Sequence, residues 1–331
     1  MLRRRRSLIP YLLMAPGLLW LVVFFAWPLL QVFLASFWSG SVERGYTLSL
    51  SNWTNYPDAI TPVLPHVGRS VLYSLTATVL TLLIAYPLAY TIAVRGGRFK
   101  NLLLFLVVAP FFTSFLLRTL SWKIILSDNG VIFGPLKAIG ILPDDFRVLA
   151  TPMAVVAGIT YNFLPFMTLP IYVALEKIDF RLVEAAQDLY AGPWQRGGTL
   201  VGGLVGGVLA AGLSFAFGWP PVIPVVLALL VGAFVGRVFV SEAFVRVTFP
   251  LSLPGVFAGS LLTFIPAVGD FINAQILGSR DTTMIGNIIQ RLFLQTNDYP
   301  RAAALSFVLI AAILVMVLAY ARVVGSEELT S

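Results

Sequence analysis

Long apolar runs, separated by short polar segments with basic flanks, set the pattern of this chain. Runs of about 18 residues or more are long enough to cross a bilayer as helices. They fall at 9–37, 70–94, 102–125, 151–174, 199–217, 221–240, 254–277 and 302–323, which predicts eight spans. Pro16, Pro28, Pro87, Pro110, Pro165, Pro170 and Pro266 lie inside them, where neighbouring helices can satisfy the freed carbonyls. Such prolines either mark kinks beside a pathway or reflect ordinary transmembrane usage. The first run follows MLRRRR and continues to about Phe37. A signal-peptide core is roughly 7–15 residues, so an uncleaved anchor is expected there.

One segment breaks the pattern. Glu176 to Gln195 reads as an amphipathic, water-facing helix. Asp179 is placed to cap it, and Leu182, Val183, Ala186 and Leu189 form an apolar stripe, while Arg181, Glu184 and Asp188 share another face. Such a helix lies on lipid headgroups or in a groove on a partner protein. Lipid binding favours a basic polar face, and this one carries two acids to one base, which points to a protein groove. The next 47 residues, Arg196 to Glu242, are apolar enough to cross a membrane twice, after which the phrase AFVRVTFPLSLPGV resumes. Gly198, Gly202 and Gly206 on one arm, and Gly232 and Gly236 on the other, have the spacing that lets membrane helices approach closely. The hairpin is either an accessory element docking on other helices or a lipid-facing decoration.

Composition agrees with the spans. The chain has 331 residues, 58% of them hydrophobic and 11% charged, and its mean hydropathy is +0.90. A soluble domain carries about a quarter charged residues, so this is an integral membrane protein. The net charge of +7 is not a nucleic-acid footprint, because the basic residues sit in short clusters at span ends. With the N-terminus in the cytoplasm, the inner side holds Arg3 to Arg6, Arg95, Arg98, Lys100, Lys177, Arg181, Arg196, Arg237, Arg246 and Arg322. Both termini are then inside, and the hairpin leaves and re-enters the same face.

Candidate chemistry is sparse. There is no cysteine and only one histidine, His66, which excludes disulfides, thiol catalysis and Cys-bound zinc. No phosphate-cradling loop, zinc-protease signature, serine-hydrolase elbow or acidic metal cluster occurs, so no catalytic or metal site and no cofactor is expected. Any ATP used must be hydrolysed by another chain. Ionisable groups inside spans are the default pathway candidates. Asp270 is predicted about two-thirds along the span beginning near Pro254, with Asn273, Tyr161 and Asn162 able to assist it in drawing a cation, or else it pairs near the interface with Arg118. Phe111, Phe112 and Phe115 could offer cation–π contacts, or simply pack. The expected outer segments, Ser39–Arg69, Ser127–Ala150 and Gly278–Arg301, are either docking surfaces or solvated connections.

Glu184-Ala185-Ala186, followed beyond the gap by Val247-Thr248-Phe249-Pro250, resembles the EAA motif of binding-protein-dependent ABC importer permeases. With Arg196–Glu242 removed, nine residues separate Tyr190 from Val247, as in that family. PFFTSFLLRTLSWKIILSDNG, YNFLPFMTLPIYVALEKID and IGNIIQRLFLQTNDYPRAAALS are similar to the spermidine/putrescine permeases. The resemblance implies an all-α, type I (MetI-like) permease core of six spans, discontinuous over residues 1–195 and 243–331, with 196–242 as an inserted hairpin. It implies that Arg181, Glu184, Ala185, Ala186, Asp188, Tyr190 and Gly192 belong to the coupling helix. It also implies cytoplasmic ABC ATPase subunits, a second permease subunit, either a paralogue or another copy of this chain, and an extracytoplasmic solute-binding protein as partners at the cell membrane, with polyamine as the expected solute. Iron, sulfate and other small solutes are carried by relatives on the same scaffold, and a disabled coupling loop would leave only a membrane scaffold. Two departures are evident: Tyr190 stands at the family's glycine position, with the nearest glycine at Gly192 before Pro193, and the hairpin interrupts the motif. Tyrosine does not adopt positive φ cheaply, so the turn is expected at Gly192-Pro193.

Overall fold

The computed structural model describes residues 9–49, 51–140, 142–179, 181, 207 and 244–328. The coupling residues Glu184 to Gly192 and, apart from Gly207, the hairpin spans expected at 199–217 and 221–240 lie outside these residues. Five helices are long and apolar enough to cross a membrane, Tyr11–Ala35, Asn55–Arg95, Pro152–Glu176, Phe244–Val268 and Tyr299–Ala319, and a bent pair, Gly97–Phe112 with Phe115–Ile125, makes a sixth. These coincide in order with the six core spans expected from the apolar runs. The architecture is helical, with one two-stranded sheet among the described residues.

The chain divides into two compact units. The first comprises residues 1–68 and 285–331. In it α1 (Ile9–Leu21) passes through a π turn, Val22–Ala26, into α2 (Trp27–Ala35). Only 6% of the apolar window of this span is buried in the chain, as expected of a surface that lipid or another membrane chain covers. A hairpin not anticipated from the sequence follows: β1 (Trp38–Ser41) pairs antiparallel with β2 (Gly45–Leu48), Trp38 opposite Leu48. Its turn is possible because Gly40 and Gly45 take φ of +124° and +78°, which residues with a Cβ rarely adopt. Helix α3 (Asn55–Ile60) and the beginning of α4 (Leu64–Tyr90) complete the N-terminal part. Ala59 and Val63 pack with Ile285, Ala304 and Leu305 as the core of this unit.

The second unit, residues 69–284, holds the rest of α4, α5 (Lys100–Val108), α6 (Phe115–Ile125), α7 (Phe133–Ala138), α8 (Pro152–Glu176), α9 (Phe249–Val268) and α10 (Ile272–Leu277). Its axis is α8, which starts where Thr151 caps the Ala154 N–H and Pro152 occupies the first turn. The first unit closes with α11 (Ile285–Leu294) and α12 (Tyr299–Glu328).

Three expected boundaries move. The second span begins at Asn55 rather than near residue 70. The third is bent by 95°, because a 3₁₀ turn at Ala109–Phe112 runs into extended backbone at Thr113, φ −101° and ψ 141°. The fifth runs Phe244–Val268 rather than 254–277. It stops there because the Asp270 side chain accepts from the Ile272 and Asn273 N–H groups, at 2.8 and 3.1 Å, a local bond that competes with helix continuation. Asp270 therefore sits in the break between α9 and α10 and not within a span.

Candidate functional site

Two zones along α8 carry the functional geometry. The first is the contact between its C-terminal half and α9, where the two parts of the split motif begin. Gly255 and Gly259 let the backbones approach: a Cβ on Gly255 would lie 2.5 Å from the Ala174 Cβ and 2.6 Å from the Pro170 carbonyl, and one on Gly259 would lie 3.0 Å from the Met167 carbonyl. Leu175 and Ile178, which lead into the coupling segment, share one core cluster with Phe244, at the start of the resumed sequence, and with Tyr86, Ala89 and Ile92 of the α4 span. The flanks of the interrupted motif thus converge. The Tyr86 and Ser252 hydroxyls bond at 2.6 Å inside this cluster, and the Tyr86 ring meets Phe244 edge-on at 5.6 Å. At its margin Lys100 pairs with Glu176 at 2.6 Å and lies 5.2 Å from the Tyr172 ring centre. Of the expected coupling residues only Arg181 is described: its N–H donates to Asp179 Oδ1 at 3.0 Å, the bond an N-capping aspartate makes.

The second zone is a buried polar hub where α8 meets α6 and α10. Asn273 donates from its side-chain amide to Asp270 Oδ2, so both carboxylate oxygens are engaged. Asn162 Nδ2 donates to Asn273 Oδ1 at 3.1 Å and to Thr119 Oγ1 at 3.2 Å. Asn162 Oδ1 is buried with no hydrogen-bond partner. Asp270, Asn273 and Asn162, expected to act together, are therefore brought together. Gly158 makes room for the hub, since a Cβ there would lie 2.7 Å from Asn273 Oδ1.

The other expected pathway residues fall differently. Tyr161 lies one residue along α8 and packs its ring against Trp122 at 5.3 Å, with no hydrogen bond to the hub. Phe112 is 80% exposed and meets Phe105 at 6.4 Å, outside the hub. The alternative pairing of Asp270 with Arg118 is absent. Arg118 is instead buried over the Phe111 and Phe115 rings, at 5.2 and 5.6 Å. Thr119 is the hub residue that sequence reading missed. A single threonine in an apolar run carries no periodic signal, and only its place beside Arg118 marks it.

In the first unit a cavity of ≈ 660 Å³ opens between the β-hairpin and the residues leading into α12, lined by Trp38, Glu43, Tyr46, Asn55, Asp298 and Arg301 among others. Tyr46 fixes its wall by donating to the Asn297 carbonyl at 2.5 Å. No group of metal-binding side chains occurs among the described residues.

No family model matches the chain. Among curated proteins it is similar to the spermidine/putrescine transport system permease protein PotB of Haemophilus influenzae, 33% identical over 305 residues, 92% of this chain and 90% of that protein. The protein of the same name from Escherichia coli K12 is 31% identical over 304 residues, 92% and 93% of the two chains. The inner membrane ABC transporter permease protein YdcU of the same strain is 26% identical over 275 residues, 78% and 71% of the two. In fold, the chain is similar to a chain of a bacterial ABC transporter involved in the import of the acidic polysaccharide alginate, with TM-score 0.54 and 16% identity over 96% of both chains. A second structure, the alginate ABC transporter in complex with a pentasaccharide-bound periplasmic protein, gives TM-score 0.57 and 18% identity over 96% of this chain and 94% of that one.

Proposed function

We propose, because this chain belongs to the family of spermidine/putrescine ABC transport permease proteins, that it carries polyamines inward across the membrane as one subunit of an ATP-driven importer. Membership makes it a permease subunit and not an enzyme. The supporting observation for polyamine is similarity to PotB proteins of more than 30% identity along nine-tenths of the chain.

In this reading both termini face the cytoplasm of an inner membrane, and the segment carrying Glu184, Ala185, Ala186, Asp188, Tyr190 and Gly192 docks on an ABC ATPase. Closure of the ATPases moves that segment, and convergence of Ile178 and Phe244 on one core cluster supports transmission of the movement into α8 and α9 together. A second permease subunit completes the pathway. An extracytoplasmic binding protein delivers solute to the outer segments, which include the β1–β2 hairpin and α11, and its affinity must differ between the two states for the switch to be driven. The hub then meets the solute. Asp270 offers a carboxyl group whose oxygens accept from three donors, and the unpartnered Asn162 Oδ1 accepts from an ammonium group.

Proteoliposomes carrying the assembled subunits and the binding protein provide the test. ATP-dependent uptake of labelled spermidine or putrescine, with no uptake of sulfate or ferric iron, is expected. Uptake of another solute with polyamine excluded would overturn the substrate, and ATP-independent behaviour would overturn the coupling.

A further inference from the structure

A buried arginine that the transport reading does not use stands at the bend of the third span. Arg118 is 8% exposed, and its Nε and Nη1 have no hydrogen-bond partner. Among the described residues its guanidinium lies over the rings of Phe111 and Phe115, 5.2 and 5.6 Å from their centres. Cation–π contact offsets part of the desolvation of a guanidinium, but a buried charge with unsatisfied donors is strongly unfavourable unless a counter-charge is supplied. Arg118 lies in the first turn of α6, an 11-residue helix whose N-cap, Ser114, makes no side-chain cap bond. Long side chains on a helix lean towards its N-terminus, and the two rings belong to Phe115, the first helical residue, and to Phe111 just before the break. The guanidinium and the open first-turn N–H groups therefore face the same place, which favours an anion on both counts.

No acid within the described residues fills it. Asp270 is held by its own loop and Asn273, Asp128 pairs with Lys137 and Arg147, and Glu176 pairs with Lys100. In the proposed topology the segments carrying Glu184, Asp188 and Glu242 are expected at the cytoplasmic face, from their basic flanks. The surface beside Arg118 is apolar and exposed in this chain, formed by Phe112, Leu116, Leu117 and Leu120, and Arg118 lies seven residues, about 10 Å of helix, before the end of α6. A soluble partner does not suit that depth and apolarity, whereas a membrane helix bearing one acid does.

We propose that Arg118 and the N-terminus of α6 form a receptor for one carboxylate supplied by the second permease subunit. The assignment rests on the two-permease reading. Neutralising Arg118 also removes a positive charge from beside Thr119 and the hub, where a polyamine would otherwise be repelled.

The test is co-purification of the tagged full chain with the second permease and the ATPase, comparing wild type with Arg118→Glu, Arg118→Lys and Arg118→Met. Retention of the second permease should fall at least tenfold for Arg118→Glu and Arg118→Met and stay near wild type for Arg118→Lys. Arg118→Met removes an unsatisfied charge at similar volume, so the isolated chain should melt no lower than wild type while assembly weakens, which separates lost pairing from misfolding. Restoration of Arg118→Glu by an acid-to-arginine change on the partner would identify the carboxylate. Wild-type retention in Arg118→Met would overturn the proposal, as would retention accompanied by loss of chloride- or phospholipid-dependent stability, since the counter-ion would then be a free anion or a headgroup. Wild-type chain that recruits the ATPase but no second permease would overturn the two-permease reading itself.

Discussion

The two ends of α8 solve opposite problems with the same helix. Towards Glu176, Met167, Ile171, Tyr172 and Leu175 are packed with apolar and aromatic side chains, and glycines on α9 bring the two backbones nearly into contact. Towards Pro152, Gly158 and Asn162 face a polar network closed around Asp270. Close packing between backbones transmits displacement with little slack, because packed interiors are nearly incompressible. A hydrogen-bonded break between short helices can instead rearrange its partners. The difference suits a lever at one end and a solute-handling zone at the other.

Substitutions that attack each end should therefore fail differently. The largest effect is expected for Gly255→Leu, which drives a side chain into the Pro170 carbonyl and Ala174. Destabilisation of about 3 kcal/mol, read as loss of the monodisperse folded chain and a lower melting temperature, is expected, and wild-type melting would show that the contact is looser than described. Next comes Asp270→Ala, which strands two backbone N–H groups and the Asn273 amide. About 2–3 kcal/mol is expected for orphaned buried donors, together with loss of polyamine uptake, and intact uptake would remove Asp270 from the pathway. Asn162→Leu removes one donor with two bonds and one free acceptor. Its stability change should be only about 1 kcal/mol, while spermidine uptake falls about tenfold. That inequality between folding and transport distinguishes a solute-handling zone from a merely structural one. Lys100→Ala should be smallest: the pair with Glu176 is exposed, and exposed pairs contribute little, so melting and uptake should both match wild type.

Much of the fold was legible because lipid imposes a one-dimensional rule: helices long enough to cross must be apolar for about 18 residues or more. That rule found the core spans but is blind to a bend inside an apolar run. Phe111, Phe112, Phe115 and Leu116 are equally hydrophobic on both sides of the break, so 102–125 reads as one helix although its halves meet at 95°. The same blindness moved the fifth span, since Phe271, Ile272 and Ala274 continue the apolar count past the Asp270 turn. The hairpin at Trp38–Leu48 was missed although Gly40 and Gly45 are turn signals, because four-residue strands fall below any hydropathy window. Asp270, Asn273 and Asn162 were found as rare polar groups in apolar runs, and Thr119 was not because threonine is common there. Phe112 was grouped with Phe111 and Phe115 by adjacency alone, and it is exposed while Arg118 sits over the other two rings. The segment beyond Asp179 was read as an amphipathic helix from its own pattern, while its coupling role came from resemblance alone, since it carries no catalytic or metal-binding signature.

If this permease is driven through the segment beyond Asp179, as we propose, Glu184→Lys in the reconstituted assembly should disable it. Spermidine-stimulated ATP hydrolysis and ATP-dependent spermidine uptake should both collapse while the chain remains inserted and monodisperse. Uptake at the wild-type rate in that variant would show that the segment does not drive transport.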